Sequence, residues 1–368
     1  LSPDAGSRSP RRPAPRWDRI SALDAARGLA ILGMVAVNVG PRGGDSLAEI
    51  LYRAPHGRAS LLFVLLGGIS FALLTRRSWH GGMGTPWGKV LWRATLLLAV
   101  GLLLQELDHG LRVILTTYAA LFLLGLPLAR ARGRLLLLLA GVSVSLGPVL
   151  WILMQEHTDK AFDREPVTAA SMPGEILTGT LLTGPYPAVV WAAPFLFGMW
   201  LGRQNLTDSR VSTRMVLWGG VTAVATRAVS FLLISVFGEP TGHTGWQRLV
   251  SDVAHSEMPL WMLGSTGAAV FVLGVCLKVG DWTRLATKPL ADLGRLAFTA
   301  YVLHLVVIAL LVRPGPETLL GGVTTTAVLG AALILFAVLW LLVFPRGPFE
   351  LLLSVPRLRP DTQGRNKS

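Results

Sequence analysis

Charge is scarce in this chain. Only 15% of its 368 residues are Asp, Glu, Lys or Arg, against about a quarter in an ordinary soluble domain, too few to coat a water-facing surface of this size. Cysteine is scarcer still. The single Cys276 excludes an intrachain disulfide framework, and its place in an apolar run suits a small packing residue. The seven histidines show no metal-ligand spacing, so no metal site is expected. No internal repeat has a convincing period. A complete phosphate loop is missing as well: in His80-Gly81-Gly82-Met83-Gly84-Thr85-Pro86-Trp87-Gly88-Lys89, Met83 stands where that motif needs its first Gly, and Val90 replaces the Ser or Thr that would hold magnesium. A flexible turn is expected there.

What the chain does have is apolar length. Hydrophobic residues make up 52% of it, the mean hydropathy is +0.54, and they arrive in runs of about 17 to 23, the length that crosses a roughly 30 Å hydrocarbon layer. The runs lie near 21–40, 58–75, 89–107, 111–129, 135–154, 186–202, 215–237, 259–277, 293–312 and 323–344. They predict an all-α integral membrane protein, a bundle of about ten transmembrane helices. With the N-terminus inside, the cytoplasmic segments hold 23 of the 34 Lys and Arg, the opposite loops hold eight, and Arg27, Arg93 and Arg227 lie within spans. Because cationic loops are retained inside, both termini are expected in the cytoplasm. The formal charge of +13 then reflects topology and anionic lipid, and no nucleic acid is called for.

The organisation expected is a disordered basic cytoplasmic tail over 1–18, a helical membrane domain over 19–350 and a second basic cytoplasmic tail over 351–368. The run after Ile20 is span-length with no small-residue cleavage site behind it, so it is not read as a secretory signal. The larger outside loop, Gln155 to Tyr186, carries five acids; the smaller, Gly238 to Met258, carries His243, Trp246, His255 and Glu257.

Charges within spans are rare, face the protein interior, and point to function. Asp24 and Arg27 are three apart on one helical face, as a structural ion pair or with Arg27 reaching an anionic cofactor from the cytoplasm. Asn38 lies about 21 Å along the same helix from Asp24, at the other side of the membrane. There His56 can act as a general base near neutral pH, although a loop histidine is more often solvated, and Arg58 can neutralise an oxyanion or phosphate. His304 lies about 13 Å beyond Arg295. It reads either as an interhelical hydrogen bond or as a catalytic group. Arg93 and Arg227 read as structural ties or anion contacts.

The opening Arg19-Ile20-Ser21-Ala22-Leu23-Asp24-Ala25-Ala26-Arg27-Gly28-Leu29-Ala30-Ile31-Leu32-Gly33-Met34 with Asn38 resembles the first helix of YeiB-like bacterial membrane proteins. These belong to the wider transmembrane acyltransferase group that includes heparan-alpha-glucosaminide N-acetyltransferase. Ser60 to Gly68 is similar to that family's second helix and Val113-Ile114-Leu115-Thr116-Thr117-Tyr118-Ala119 to its fourth. Tyr186-Pro187 with Phe197 to Arg203 is similar to the sixth, Leu293 to Tyr301 to the ninth, and Arg346-Gly347-Pro348-Phe349-Glu350 to the cytoplasmic end.

The resemblance implies an acyl group taken from acetyl-CoA or another acyl-CoA and delivered to an extracytoplasmic acceptor such as a sugar or envelope glycan, in the plasma membrane. His56 occupies the stretch that holds the family's catalytic histidine, although the Asp-Leu-Val-Phe-Pro segment of the heparan enzyme's second helix is absent. The expected catalytic set is therefore His56, Asn38 and His304, with Arg27 and Arg93 for the coenzyme phosphates and Arg58, Tyr118 and Arg227 for the substrate. Membrane lipids and the acceptor are the expected partners, and a homo-oligomer is left open. A transporter or flippase of a small anionic or lipid-linked substrate is the alternative; it predicts pseudo-symmetric halves with broken helices.

Overall fold

A computed structural model describes residues 21–41, 46–76, 86–107, 110–158, 164–242, 245–279 and 284–354. The tail expected over 1–18, residues 355–368 of the second tail, His243 and residues 80–85 of the phosphate-loop-like stretch lie outside the described residues. Regular structure among the described residues is entirely helical. In hydrocarbon every backbone polar group must be satisfied within the protein, and each of the ten apolar runs meets that demand with a helix over most of its length.

The helices are α1 (Ser21–Val39), the short α2 (Leu47–Tyr52), α3 (Arg58–Leu74), α4 (Trp87–Gln105), α5 (Leu115–Leu128), α6 (Gly133–His157) and the short α7 (Pro173–Thr178). They continue with α8 (Ala188–Leu201), α9 (Ser209–Phe237), α10 (Pro259–Val279), α11 (Arg284–Arg295), α12 (Ala297–Val307), α13 (Leu319–Val343) and α14 (Pro348–Leu352). Six are long and apolar enough to cross a membrane: α1, α4, α6, α9, α10 and α13. Counting two bent pairs as single spans raises the number to eight. The remaining two apolar runs are the shorter α3, of 17 residues, and α5, of 14. By the length and composition of these helices the chain is a membrane protein.

Helices α1 and α3 form the centre of the bundle. α1 packs on α11, α3, α10 and α13, while α3 packs on α8. The α1–α11 approach is close enough to need glycine, since a Cβ on Gly294 would overlap the carbonyl oxygen of Asp24. Small residues at such crossings let backbones meet where no hydrophobic force between helices is available. α9 is peripheral, and Leu217, Trp218, Val221, Val224, Phe231 and Val236 are exposed along it, as suits a helix facing lipid.

Three of the expected spans differ in detail. The run over 111–129 becomes helical only at Leu115. The stretch before it is irregular, and neighbours satisfy its backbone: Gln105 Nε2 donates to the Leu111 carbonyl (2.8 Å), the Val113 N–H donates to Gln105 Oε1 (2.9 Å), and the Ile114 N–H donates to Tyr301 Oη (3.2 Å). The sixth run is preceded by α7 and one π-helical turn (Gly179–Thr183), bent by 62° from α8. The ninth run is broken at Leu296, where α11 and α12 meet at 82°.

That break would leave the first N–H groups of α12 orphaned. Glu350 caps them. Its Oε1 accepts from the Phe298 and Thr299 N–H groups (2.8 and 3.1 Å), its Oε2 accepts from Thr299 Oγ1 (2.5 Å), and the Phe349 N–H donates to Thr299 Oγ1 (3.2 Å). A carboxylate at a helix N-terminus also opposes the macrodipole favourably. Residues 346–350, expected as the cytoplasmic end of the membrane domain, are thus part of the bundle.

Glu350→Ala is expected to lower stability by about 1–3 kcal/mol, because it strands buried donors. Glu350→Gln, which keeps an acceptor oxygen, should lose less. Thermal unfolding of the two variants in one detergent checks the order, and equal melting points for both and the parent would remove the cap.

Candidate functional site

One end of the bundle is marked by Arg27, Gly294 and Glu350, the other by Asn38. At the Asn38 face the helices part around a cavity of about 1590 Å³. Its wall is unusually cationic: Arg53, Arg58, Arg112, Arg164 and Arg227 line it with a single carboxylate, Asp252. Asn38, His56, His255, Tyr186 and Tyr301 supply further polar lining.

Two local devices set the histidines in place. His56 sits in the turn into α3, its N–H donating to the Arg53 carbonyl (2.8 Å). The next residue, Gly57, has φ +71°, a conformation that favours glycine, and a Cβ there would come within 2.8 Å of the Trp261 ring. The turn therefore presses directly on α10. His255 approaches from the opposite loop and meets His56 edge-on, with ring centroids 5.2 Å apart. Tyr186, Trp191 and Trp261 enclose His255 at 5.9, 6.5 and 5.4 Å.

Behind these rings lies an ion pair. Glu257 is wholly buried, and its carboxylate accepts from Arg164 Nη2 (2.6 Å) and Trp191 Nε1 (2.7 Å). Arg164 also donates to the carbonyls of His255 (2.6 Å) and Pro185 (2.8 Å), and its guanidinium stacks 5.3 Å from the Trp151 ring. Burial pushes the Glu257 carboxyl above its ordinary range, while the Arg164 charge and the Trp191 hydrogen bond pull it back. Arg164, His255 and Glu257 are the three non-glycine residues with positive φ among those described, at 51°, 58° and 63°. Backbone held in that region costs about 1–3 kcal/mol per residue and clusters at functional sites. Here it coincides with one network at the cavity wall.

The residues singled out in the sequence separate into three places. His56, Arg58, Asn38 and Arg227 line the cavity. Arg58 Nη1 donates to the Ala54 carbonyl (2.9 Å) and lies within electrostatic reach of Asp252 and Arg227. Arg227 is not a buried tie: its side chain is 73% exposed and pairs with Asp252 at 2.7 Å. His304 and Tyr118 lie in the core beside the cavity rather than on its wall. Tyr118 packs on Phe63 at 5.5 Å, and its buried hydroxyl has no hydrogen-bond partner among the described residues. Arg27 and Arg93 lie at the opposite face, Arg27 about 16 Å from Asn38 along α1. Arg27 bonds Asp24 and donates to Ser70 Oγ (2.9 Å); Arg93 Nε donates to the Leu353 carbonyl (3.4 Å).

Asn38 pairs with His304 rather than with His56. The Asn38 Nδ2 to His304 Nε2 distance is 3.2 Å, and His304 Nδ1 is 3.3 Å from the Ala300 carbonyl. A carbonyl only accepts, so Nδ1 carries the proton and Nε2 accepts from the Asn38 amide. His304 is wholly buried and one residue removed from the cavity through Asn38. Sequence reasoning missed Arg53, Arg112, Arg164, Asp252, His255 and Glu257 as a group. The one signal for four of them, Arg164, Asp252, His255 and Glu257, was their place in the two polar outside loops.

Residues 200–355 match the family described as Protein of unknown function (DUF418), whose members are YeiB-like membrane proteins. The matched region contributes Arg227, Asp252, His255, Glu257, Tyr301, His304 and the Glu350 cap. The wall built by α1 and α3, with Asn38 and His56, lies outside it. No curated protein matches the chain.

Removing His304 strands the Asn38 amide, and removing Asn38 strands the imidazole, so each single alanine variant is expected to lose about 1–3 kcal/mol. The double variant should lose clearly less than the sum, as contacting residues do. Additive losses in chemical or thermal unfolding would show that the two do not act together.

Proposed function

We propose that the protein is a membrane-embedded acyltransferase that moves an acyl group from an acyl-CoA to an acceptor entering the Asn38-face cavity. The observation that carries this reading is the meeting of His56, Asn38 and several arginines on one cavity wall, in a chain whose helices resemble the acyltransferase pattern in order. The excess of Lys and Arg on the other loops assigns the Arg27 face to the cytoplasm and the cavity to the outside, with ten spans and both termini inside, in the plasma membrane. Tags at either terminus are then expected to be shielded from impermeant reagents in intact cells; external labelling would invert this arrangement.

The chemistry asks for a base, oxyanion donors and cations for the nucleotide phosphates. His56 takes the proton from the acceptor O–H or N–H as its heteroatom attacks the thioester carbonyl carbon. Asn38 uses one amide hydrogen on His304 and keeps the second for the oxyanion, with Arg58 as the nearby cation. As the C–S bond breaks, its electron pair leaves on sulfur, and the His56 imidazolium returns the proton to form the free thiol. For the coenzyme phosphates Arg93 is the better placed of the two cytoplasmic arginines. Arg27 is already matched by Asp24 and Ser70, and a phosphate there would share its guanidinium with Asp24.

Transport of an anionic or lipid-linked substrate is the second reading, favoured by the two bent helix pairs at 62° and 82°, since transporter sites are built from broken helices. The test is transfer of a labelled acetyl group from acetyl-CoA by the purified protein. His56→Ala is expected to lower turnover by about 10²–10⁴-fold, the usual loss of a general base, with acyl-CoA binding retained. Full turnover in that variant would move the base elsewhere, and no transfer by the parent with any acceptor, alongside substrate movement in vesicles, would select transport.

A further inference from the structure

The position of Arg227 is physically odd. It stands ten residues before the end of α9 at Phe237, about 15 Å inside that end, on a helix of 29 residues with an apolar, exposed outer surface. An exposed guanidinium at hydrocarbon depth is costly unless water or counter-charge reaches it. Asp252 supplies one counter-charge, but Arg58 adds a second cation within reach of the same pair. The local balance stays positive.

The rim around these cations is apolar and exposed. On α9, Val224 and Phe231 flank Arg227 by three and four residues and are 70% and 72% exposed. Across the mouth, α2 has no buried residue, and its Ile50 and Leu51 are 51% and 65% exposed. All four line the cavity. A vestibule for a wholly water-soluble substrate has no use for such a rim, and a mouth that opens sideways into lipid does.

We propose that the cavity admits an anionic phospholipid, one whose headgroup carries no balancing cation, from the side, with its phosphate between Arg58 and Arg227 and its chain along the apolar surfaces of α2 and α9. The arginine side chains suit this task. The planar guanidinium donates paired hydrogen bonds to phosphate oxygens, and its stem packs along apolar surface while the head reaches polar ground. Naming this lipid's headgroup as the acyl acceptor rests on the acyl-transfer reading; the binding itself does not.

The experiment uses the full chain in a neutral detergent, titrated with dioctanoyl phosphatidylglycerol, dioctanoyl phosphatidylcholine, glycerol phosphate and inorganic phosphate, with bound ligand counted by native mass spectrometry. The anionic lipid is expected to bind at least about tenfold more tightly than each of the others, a difference of about 1.4 kcal/mol. Arg58→Gln and Arg227→Gln should each lose most of that preference. Phe231→Ala, which removes an exposed ring from α9 without adding a polar group, should weaken the lipid and leave inorganic phosphate unchanged. The proposal is overturned if phosphatidylcholine binds equally well, if free phosphate matches the lipid, or if the arginine variants keep the preference. Labelled acetyl-CoA added to the lipid-bound protein separates the two readings. Lipid binding with no transfer to any acceptor keeps this site and removes the acyltransferase, whereas transfer to a soluble amino sugar without lipid preference keeps the enzyme and removes this site.

Discussion

The cavity face hangs on one buried carboxylate. Glu257 has no exposed surface and is bonded by Arg164 and Trp191, so three separate stretches of chain converge on one charge. Arg164 extends the convergence by holding the carbonyls of Pro185 and His255. A buried pair adds little net stability over an apolar substitute, yet losing one partner costs about 3–5 kcal/mol. Such a pair therefore acts less as a source of stability than as a condition on geometry. The loops can take only the arrangement in which the two charges meet, and that arrangement carries the positive φ values at Arg164, His255 and Glu257.

The bundle itself was legible because hydrocarbon leaves the backbone no alternative to the helix. All ten apolar runs are largely helical, nine as single helices with ends displaced by a few residues and the ninth broken at Leu296. The displacements that mattered, at Leu111 to Ile114 and at Leu296, occur where Gln105, Tyr301 and Glu350 supply the missing hydrogen bonds. No periodicity in a single segment announces that help from a distant one.

The site was legible in part for the same reason. Asn38 and Arg227 are unusual in type for their depth, His56 and Arg58 were singled out by chemical type beside a span, and all four reach the cavity. Tyr118, taken from the resemblance of its helix, lies in the core instead. The pairing of Asn38 with His304 spans 266 positions and follows from the packing of α12 on α1. The loop residues around His255 carry no pattern before folding, since their meaning depends on which aromatic rings close around them.

The cap at the start of α12 bears on how the chain is made. Glu350 lies 52 and 51 residues after the two N–H groups it caps, so during synthesis the first turn of α12 must wait until that residue has been made and has left the ribosome. Until then its first turn, seven residues before His304 on the same helix, lacks this cap. Completion of the helix beside the cavity thus follows the emergence of Glu350 rather than the insertion of the helix that bears the histidine.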